Sequence, residues 1–156
     1  MENLFKTELT ASLSTISEDG TPWTSTAPYA IIDDKAYIFI SAVAEHHANI
    51  INNKNVCMMI IQDTSKSQTP FVLERATFKS VGTKLDVVPE NVWNAFTERF
   101  EVKMLEQLKK MDFDVFELPL TTGRHVLGFG RAYDLKFENN EWVKHHVTDV
   151  GHTTSK

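Results

Sequence analysis

Histidine is the side chain here with the widest chemical range, because imidazole changes charge near neutral pH and ligates metals. The 156-residue chain has six, and His125, His145, His146 and His152 fall in its last third. His46 and His47 stand side by side upstream. A histidine near a chain end is ordinarily solvated, so from its position alone His152 is a tail residue, as are His145 and His146. Arg75 and Arg131 offer a second chemistry. A guanidinium grips a carboxylate in two-pronged fashion, and on a strand face it equally serves a surface ion pair. Ser12, Ser14 and Ser17 lie in no nucleophile elbow, which disfavours a hydrolase. Gly128-Phe129-Gly130 lacks the third glycine and the following helix of a dinucleotide site, and reads instead as a sharply bent strand.

The bulk numbers narrow the setting. Hydrophobic residues are 42% and charged residues 24%, a globular composition for one ordinary domain over 1–156. The net charge of −5 and scattered Lys and Arg supply no basic surface for phosphates, so no nucleic acid partner is expected. No run of eighteen apolar residues exists to span a membrane. The first residues show no secretory signal, and Cys57 is the sole cysteine, so there is no disulfide framework. A cytoplasmic protein is expected.

The positioning elements follow from periodicity. Residues 11–17 and 22–32 read as strands around the turn Glu18-Asp19-Gly20, with Pro28 marking an edge or bulge. After Asp33-Asp34, residues 36–40 form a third strand, and 44–52 lose the period of two and read as a short helix. Strands are expected over 56–61 and 71–82, the latter placing Arg75, Thr77 and Lys79 on one face. Pro89 opens an amphipathic helical stretch through Leu108, with a break near Phe100, whose apolar face covers a core opening and offers a dimer contact. Residues 113–120 and 124–135 are the last strands, joined as a hairpin by Thr121-Thr122-Gly123, before a polar tail over 137–156. The fold class is mainly β, a β-barrel with flanking helices occupying about 1–136.

The order of several short motifs adds a resemblance. Leu13-Ser14-Thr15, Gly20, Pro22, Ser25 and Ala27-Pro28 resemble the opening of the pyridoxamine 5'-phosphate oxidase-like, FMN-binding split β-barrels. Ser41, His46, Asn49-Ile50 and Arg75-Ala76-Thr77-Phe78 continue it. The segment Gly128-Phe129-Gly130-Arg131-Ala132 and the tail Gly151-His152 are most similar to the HugZ/HutZ heme-utilisation group. Three departures stand out: the chain starts almost at its first strand, a basic run is replaced by Phe71-Val72-Leu73-Glu74-Arg75, and the Arg-Leu-Pro-like ending is absent. The last argues against vitamin B6 oxidation.

The resemblance implies roles. His152 falls on the C-terminal Gly-His heme-iron ligand, and Gly151 removes the Cβ that would crowd a porphyrin. Asp112 resembles the acidic residue that orients that ligand across a subunit interface, and is otherwise a helix-to-strand turn residue; Asp149 is the alternative partner. Flavin binders usually keep Lys or Arg where this chain has His46, and a mostly neutral imidazole suits a phosphate dianion poorly. His47 reads as a water-facing helix residue. Arg75 is the candidate for a heme propionate. Three functions are implied: a heme-binding, heme-degrading protein working as a homodimer, an FMN-dependent oxidoreductase using Ser25, Ser41, His46, Asn49 and Arg75, or a non-catalytic heme carrier.

Overall fold

The computed structural model describes residues 1–147. Its elements, in chain order, are α1 (Glu2–Thr7), β1 (Thr10–Ile16), β2 (Pro22–Ile32), β3 (Lys35–Ser41), α2 (Glu45–Asn52) and β4 (Asn55–Ile61). They continue with β5 (Arg75–Val81), β6 (Thr83–Lys84), α3 (Glu90–Thr97), α4 (Val102–Leu108), β7 (Phe113–Pro119), β8 (Thr122–Val126), β9 (Ala132–Glu138) and β10 (Glu141–His146). The ten strands form one curled antiparallel sheet in the order β10-β9-β8-β5-β4-β1-β2-β3-β7-β6.

Alternation along the strands sends one set of side chains into the curl. Leu13, Tyr29, Ile38, Met58, Ile60, Phe78, Phe116 and Leu118 fill it, all fully or almost fully buried. The curl is held shut across its seam by Ser80, whose hydroxyl on β5 donates to the carbonyl of Pro119 on β7 at 2.7 Å. Pro28 sits where β2 stops pairing with β1 and begins pairing with β3, a place that asks little of its missing N–H.

A second apolar cluster lies on the outer side of β2, β3 and β7, where Ala30, Tyr37, Phe39 and Val115 meet Val92 and Phe96 of α3 and Leu105 of α4. The expected break near Phe100 separates α3 from α4. Their buried apolar residues are therefore packed within the chain, while Val102 and Met104 of α4 stay exposed. The outer side of β1, β4, β5 and β8 carries no such helical cover among the described residues.

Five sequence expectations change. A helix, α1, precedes the first strand; its Leu4 and Phe5 enter the barrel core, and Phe5 packs on Phe78 at 6.0 Å. The strand expected over 71–82 begins at Arg75, because Pro70–Val72 form a 3-10 turn. The strand expected over 124–135 is two strands, because Gly128 (φ 117°) and Gly130 (φ 67°) turn the chain through 127–131. Thr121-Thr122-Gly123 accordingly joins no hairpin: β7 pairs with β3 and β6, whereas β8 pairs with β5 and β9. The polar tail expected from 137 includes the end of β9 and the whole of β10, folded back through Asn139 and Asn140, both at positive φ.

Gly123 lets β8 come close to β5. A Cβ built there would stand 2.5 Å from the carbonyl oxygen of Thr77 and 2.5 Å from the Phe78 ring. Gly123→Ala is expected to destabilise the fold by about 1–3 kcal/mol, read as a lower urea midpoint. An unchanged midpoint would contradict this close strand approach.

Candidate functional site

The β5–β8 register sets the main site. Arg75 stands opposite Val126 and Thr77 opposite Arg124, so both arginines project from the same outer face. The turn after β8 rises beside them. Its Arg131 guanidinium donates back to the carbonyl of Leu127 at 2.7 Å, and Leu127 N donates to the carbonyl of Arg131 at 2.9 Å. Together these elements enclose an open cleft of about 520 Å³. Arg75 and Arg124 supply its charge, Phe71, Val126 and Phe129 its apolar walls, and His146 and Val147 its rim. Phe71 and Phe129 are 75% and 70% exposed, a solvent exposure that aromatic rings keep when they form the walls of a binding site.

Electrostatics on this face are unbalanced. Two guanidiniums on diagonal sheet positions repel, and Arg124 is relieved by Asp134, with Nη2 2.9 Å from the carboxylate. Arg75 makes one bond, to the carbonyl of Leu73 at 3.4 Å, and no ion pair among the described residues. Such a cleft suits a flat, mostly apolar molecule with carboxylates at one edge. His146 reaches its rim, with Nε2 2.9 Å from the carbonyl oxygen of Gly130.

The other sequence candidates collect elsewhere. Ser41 ends β3 beside the α4–β7 turn, where Ala42 N donates to the carbonyl of Asp112 at 2.6 Å. The Asp112 carboxylate is exposed and has no hydrogen bond or ion pair among the described residues. His46 is half-buried on α2, and burial, with His47 adding to it, pushes its pKa below the ordinary histidine value. It is therefore uncharged near neutral pH. The same helix turn carries Glu45 and no Lys or Arg, a poor setting for a phosphate. Asn49 is buried and its amide donates to Thr15 at 3.1 Å and Ser17 at 3.4 Å, so it ties α2 to the β1 edge. Ser25 Oγ is buried without a partner. Of all these residues only Arg75 lines the cleft. Gly151, His152 and Asp149 lie outside the described residues.

His47 differs from expectation. It is buried, not water-facing, because the helix turns it under the barrel end. There Nε2 donates to Asp114 at 2.8 Å and the ring meets Phe116 edge-on at 5.1 Å. Lys84 reaches the same carboxylate at 2.8 Å. His145 and His146 are exposed as expected but belong to β10, and His146 reaches the cleft. His146 reads from sequence as a tail residue, and Arg124 carries no signal of its own, although the alternation that put Arg75 outward does the same for Arg124 once the two strands are paired.

Fold and sequence together define a split-barrel protein, and the chain belongs to the pyridoxamine 5'-phosphate oxidase family, which residues 1–127 match. Its relatives are more particular than that. It is 32% identical over 131 residues to the heme oxygenase HutZ of Vibrio cholerae, covering 81% of this chain and 73% of that protein. The crystal structure of Campylobacter jejuni ChuZ superposes with a TM-score of 0.80 at 28% identity, over 94% of this chain and 60% of that one. This chain thus spans about three fifths of ChuZ. The structure of HutZ, described as the heme storage protein of Vibrio cholerae, matches at 0.69 and 26% identity, over 76% and 86% of the two chains.

Burial raises the Asp114 pKa, but the bonds from Lys84 and His47 outweigh it and hold the carboxyl below its usual range. A lowered folded pKa stabilises above the unfolded value of about 3.9, and that contribution is lost as pH falls through the folded value. Asp114→Asn is expected to cost about 1 kcal/mol at pH 7 after allowance for solvent screening, with the difference narrowing below about pH 4. Urea unfolding at both pH values checks this; equal deficits would contradict it.

Proposed function

We propose that this chain binds heme and degrades it with O₂ and an external electron donor, in the service of heme-iron utilisation. The observation that carries the reading is the cleft, in which Arg75 and Arg124 stand at the foot of an apolar wall formed by Phe71, Val126 and Phe129. That donor set fits the two propionates and the hydrocarbon face of a porphyrin. The cleft's volume of about 520 Å³ is within the usual range for small-molecule sites. The naming of HutZ as a heme oxygenase supports the same reading.

Bound heme supplies the redox and oxygen chemistry, while the protein sets axial ligation, polarity and access. Arg75 and Arg124 pair with the propionates and fix the orientation of the ring. His152 would supply the imidazole that holds the iron, as the resemblance implies. Asp112 accepts the second N–H of that imidazole and so fixes its tautomer. Asp112 does not line the cleft of its own chain, so on this reading it comes from a second copy in a homodimer. His46, uncharged and outside the cleft of its own chain, would on this reading meet the heme edge from the second copy.

Titration of the purified protein with hemin and, separately, with FMN separates the heme and flavin readings. A sharp Soret band is expected, lost in His152→Ala, and Arg75→Ala is expected to weaken hemin binding about tenfold. A bound yellow flavin with no Soret response would contradict the proposal. Ascorbate added under air, with catalase present, is expected to bleach the Soret band with release of iron; a stable band would leave a carrier in place of an enzyme.

A further inference from the structure

Directly beneath the cleft lies a pair, a buried histidine and a half-buried glutamate, that the proposed heme chemistry does not use. His125 is fully buried, and its Nε2 stands 2.7 Å from Glu74 Oε1. Its Nδ1 is buried without a partner. The neighbours of these two residues are cleft residues: Arg75 follows Glu74, and Arg124 and Val126 flank His125. Strand alternation explains the arrangement, since His125 points inward opposite Ala76 while the residues on either side point outward. Glu74 is itself clasped at the end of β4. Its N–H donates to Gln62 Oε1 at 3.2 Å, and Gln62 N–H donates to its carbonyl at 2.8 Å.

We propose that His125 is a positioning residue that, by donating to Glu74, holds β8 and Arg75 in the cleft arrangement and couples the cleft's grip on an anionic ligand to its own protonation. The identity of that ligand rests on the heme reading; the coupling does not. The groups facing His125 are Glu74 before β5, the Met1 amino group just before α1 at 3.2 Å from Glu74, and Lys144 of β10. Tyr133 of β9 pairs opposite it, with the His146 ring 5.2 Å beyond.

The electrostatics follow from this set. Burial works to raise the Glu74 pKa, but the bonds from His125 and the Met1 amino group lower it overall, so the carboxylate is ionised and Nε2 carries the hydrogen. A second proton must go to Nδ1, where it would meet no acceptor. Burial pushes the His125 pKa below its ordinary value, with Met1 and Lys144 adding to that and Glu74 opposing it. The open or unfolded chain therefore takes up this proton more readily than the closed corner. The pair stabilises fully above about pH 6.5, and its contribution falls as pH drops below that. Once charged, the imidazole loosens the corner, and Arg124 and Val126 move relative to Arg75.

Amide and ring NMR resonances followed from pH 8 to 5 test this without heme. In the wild type, the Arg75, Arg124, Gly128 and Gly130 signals are expected to step with the midpoint of the His125 ring, below about pH 6.5. His125→Gln keeps a donor for Glu74 but cannot titrate, so its spectrum should match the wild type at pH 8 and lack the step. Should that variant not fold, Glu74→Gln keeps an acceptor, removes the charge, and is expected to move the midpoint down. Cleft signals that stay flat while His125 titrates would overturn the proposal. So would a step that survives in His125→Gln, or a midpoint unmoved in Glu74→Gln. Iron-free protoporphyrin IX, which needs no axial histidine, supplies the ligand arm. Its affinity should fall at least threefold less on acidification in His125→Gln than in the wild type. Absence of porphyrin binding beside intact, coupled steps would overturn the heme reading and support the coupling.

Discussion

Two guanidiniums project from adjacent diagonal positions on one sheet face, and the rest of the site depends on how that repulsion is accommodated. Pairing β5 with β8 brings Arg75 and Arg124 together, which costs electrostatic energy unless an anion is near. Asp134, one strand further on, offsets the charge of Arg124. Arg75 has no such counter-ion among the described residues, so its charge is available to a ligand. Gly123 permits the close strand approach, and the Gly128–Gly130 turn raises Phe129 as a wall above the charges. Backbone pairing, one glycine contact and one turn thus bring two surface arginines together at the foot of an apolar cleft.

The remaining elements hold this face in place. Arg99, between α3 and α4, donates to the carbonyls of Phe5 at 2.9 Å and Glu8 at 2.6 Å and stacks over the Tyr29 ring at 4.6 Å. Tyr29 adds a hydrogen bond to the same Phe5 carbonyl at 3.1 Å. One cation therefore ties the end of α1 to the helices on the far side of the sheet, and α1 in turn seats Phe5 against Phe78 of β5. With α3 and α4 committed to β2, β3 and β7, the opposite outer face is free for a ligand and, on the proposed reading, a second copy. No helix among the described residues is long and apolar enough to cross a membrane.

The barrel strands were legible because alternation and turn chemistry agreed: β2 has the expected bounds, and Gly20 and Asp33 adopt the positive φ that their turns require. Arg75, Thr77 and Lys79 share a face as alternation implied. What escaped depends on contacts between segments distant in sequence. Residues 124–135 carry a continuous strand composition, and only the two glycine conformations reveal a hairpin there. The strand β10 was hidden because Trp142 and Val143 are adjacent, which breaks alternation, although Asn139-Asn140 is a recognisable hairpin turn. His47 looked like a surface residue because its partner Asp114, which Lys84 also reaches, lies far away in sequence. Likewise nothing near His125 announces Glu74, which reaches it only through strand pairing.

The central claim is that heme sits in this cleft with the His152 imidazole on its iron. The most direct measurement is a crystal structure of the heme-loaded protein with anomalous data at the iron edge. The account predicts an iron peak over the cleft, bonded to His152, with a propionate against Arg75. Iron bound by another side chain, or a porphyrin lodged away from Arg75 and Arg124, would contradict it.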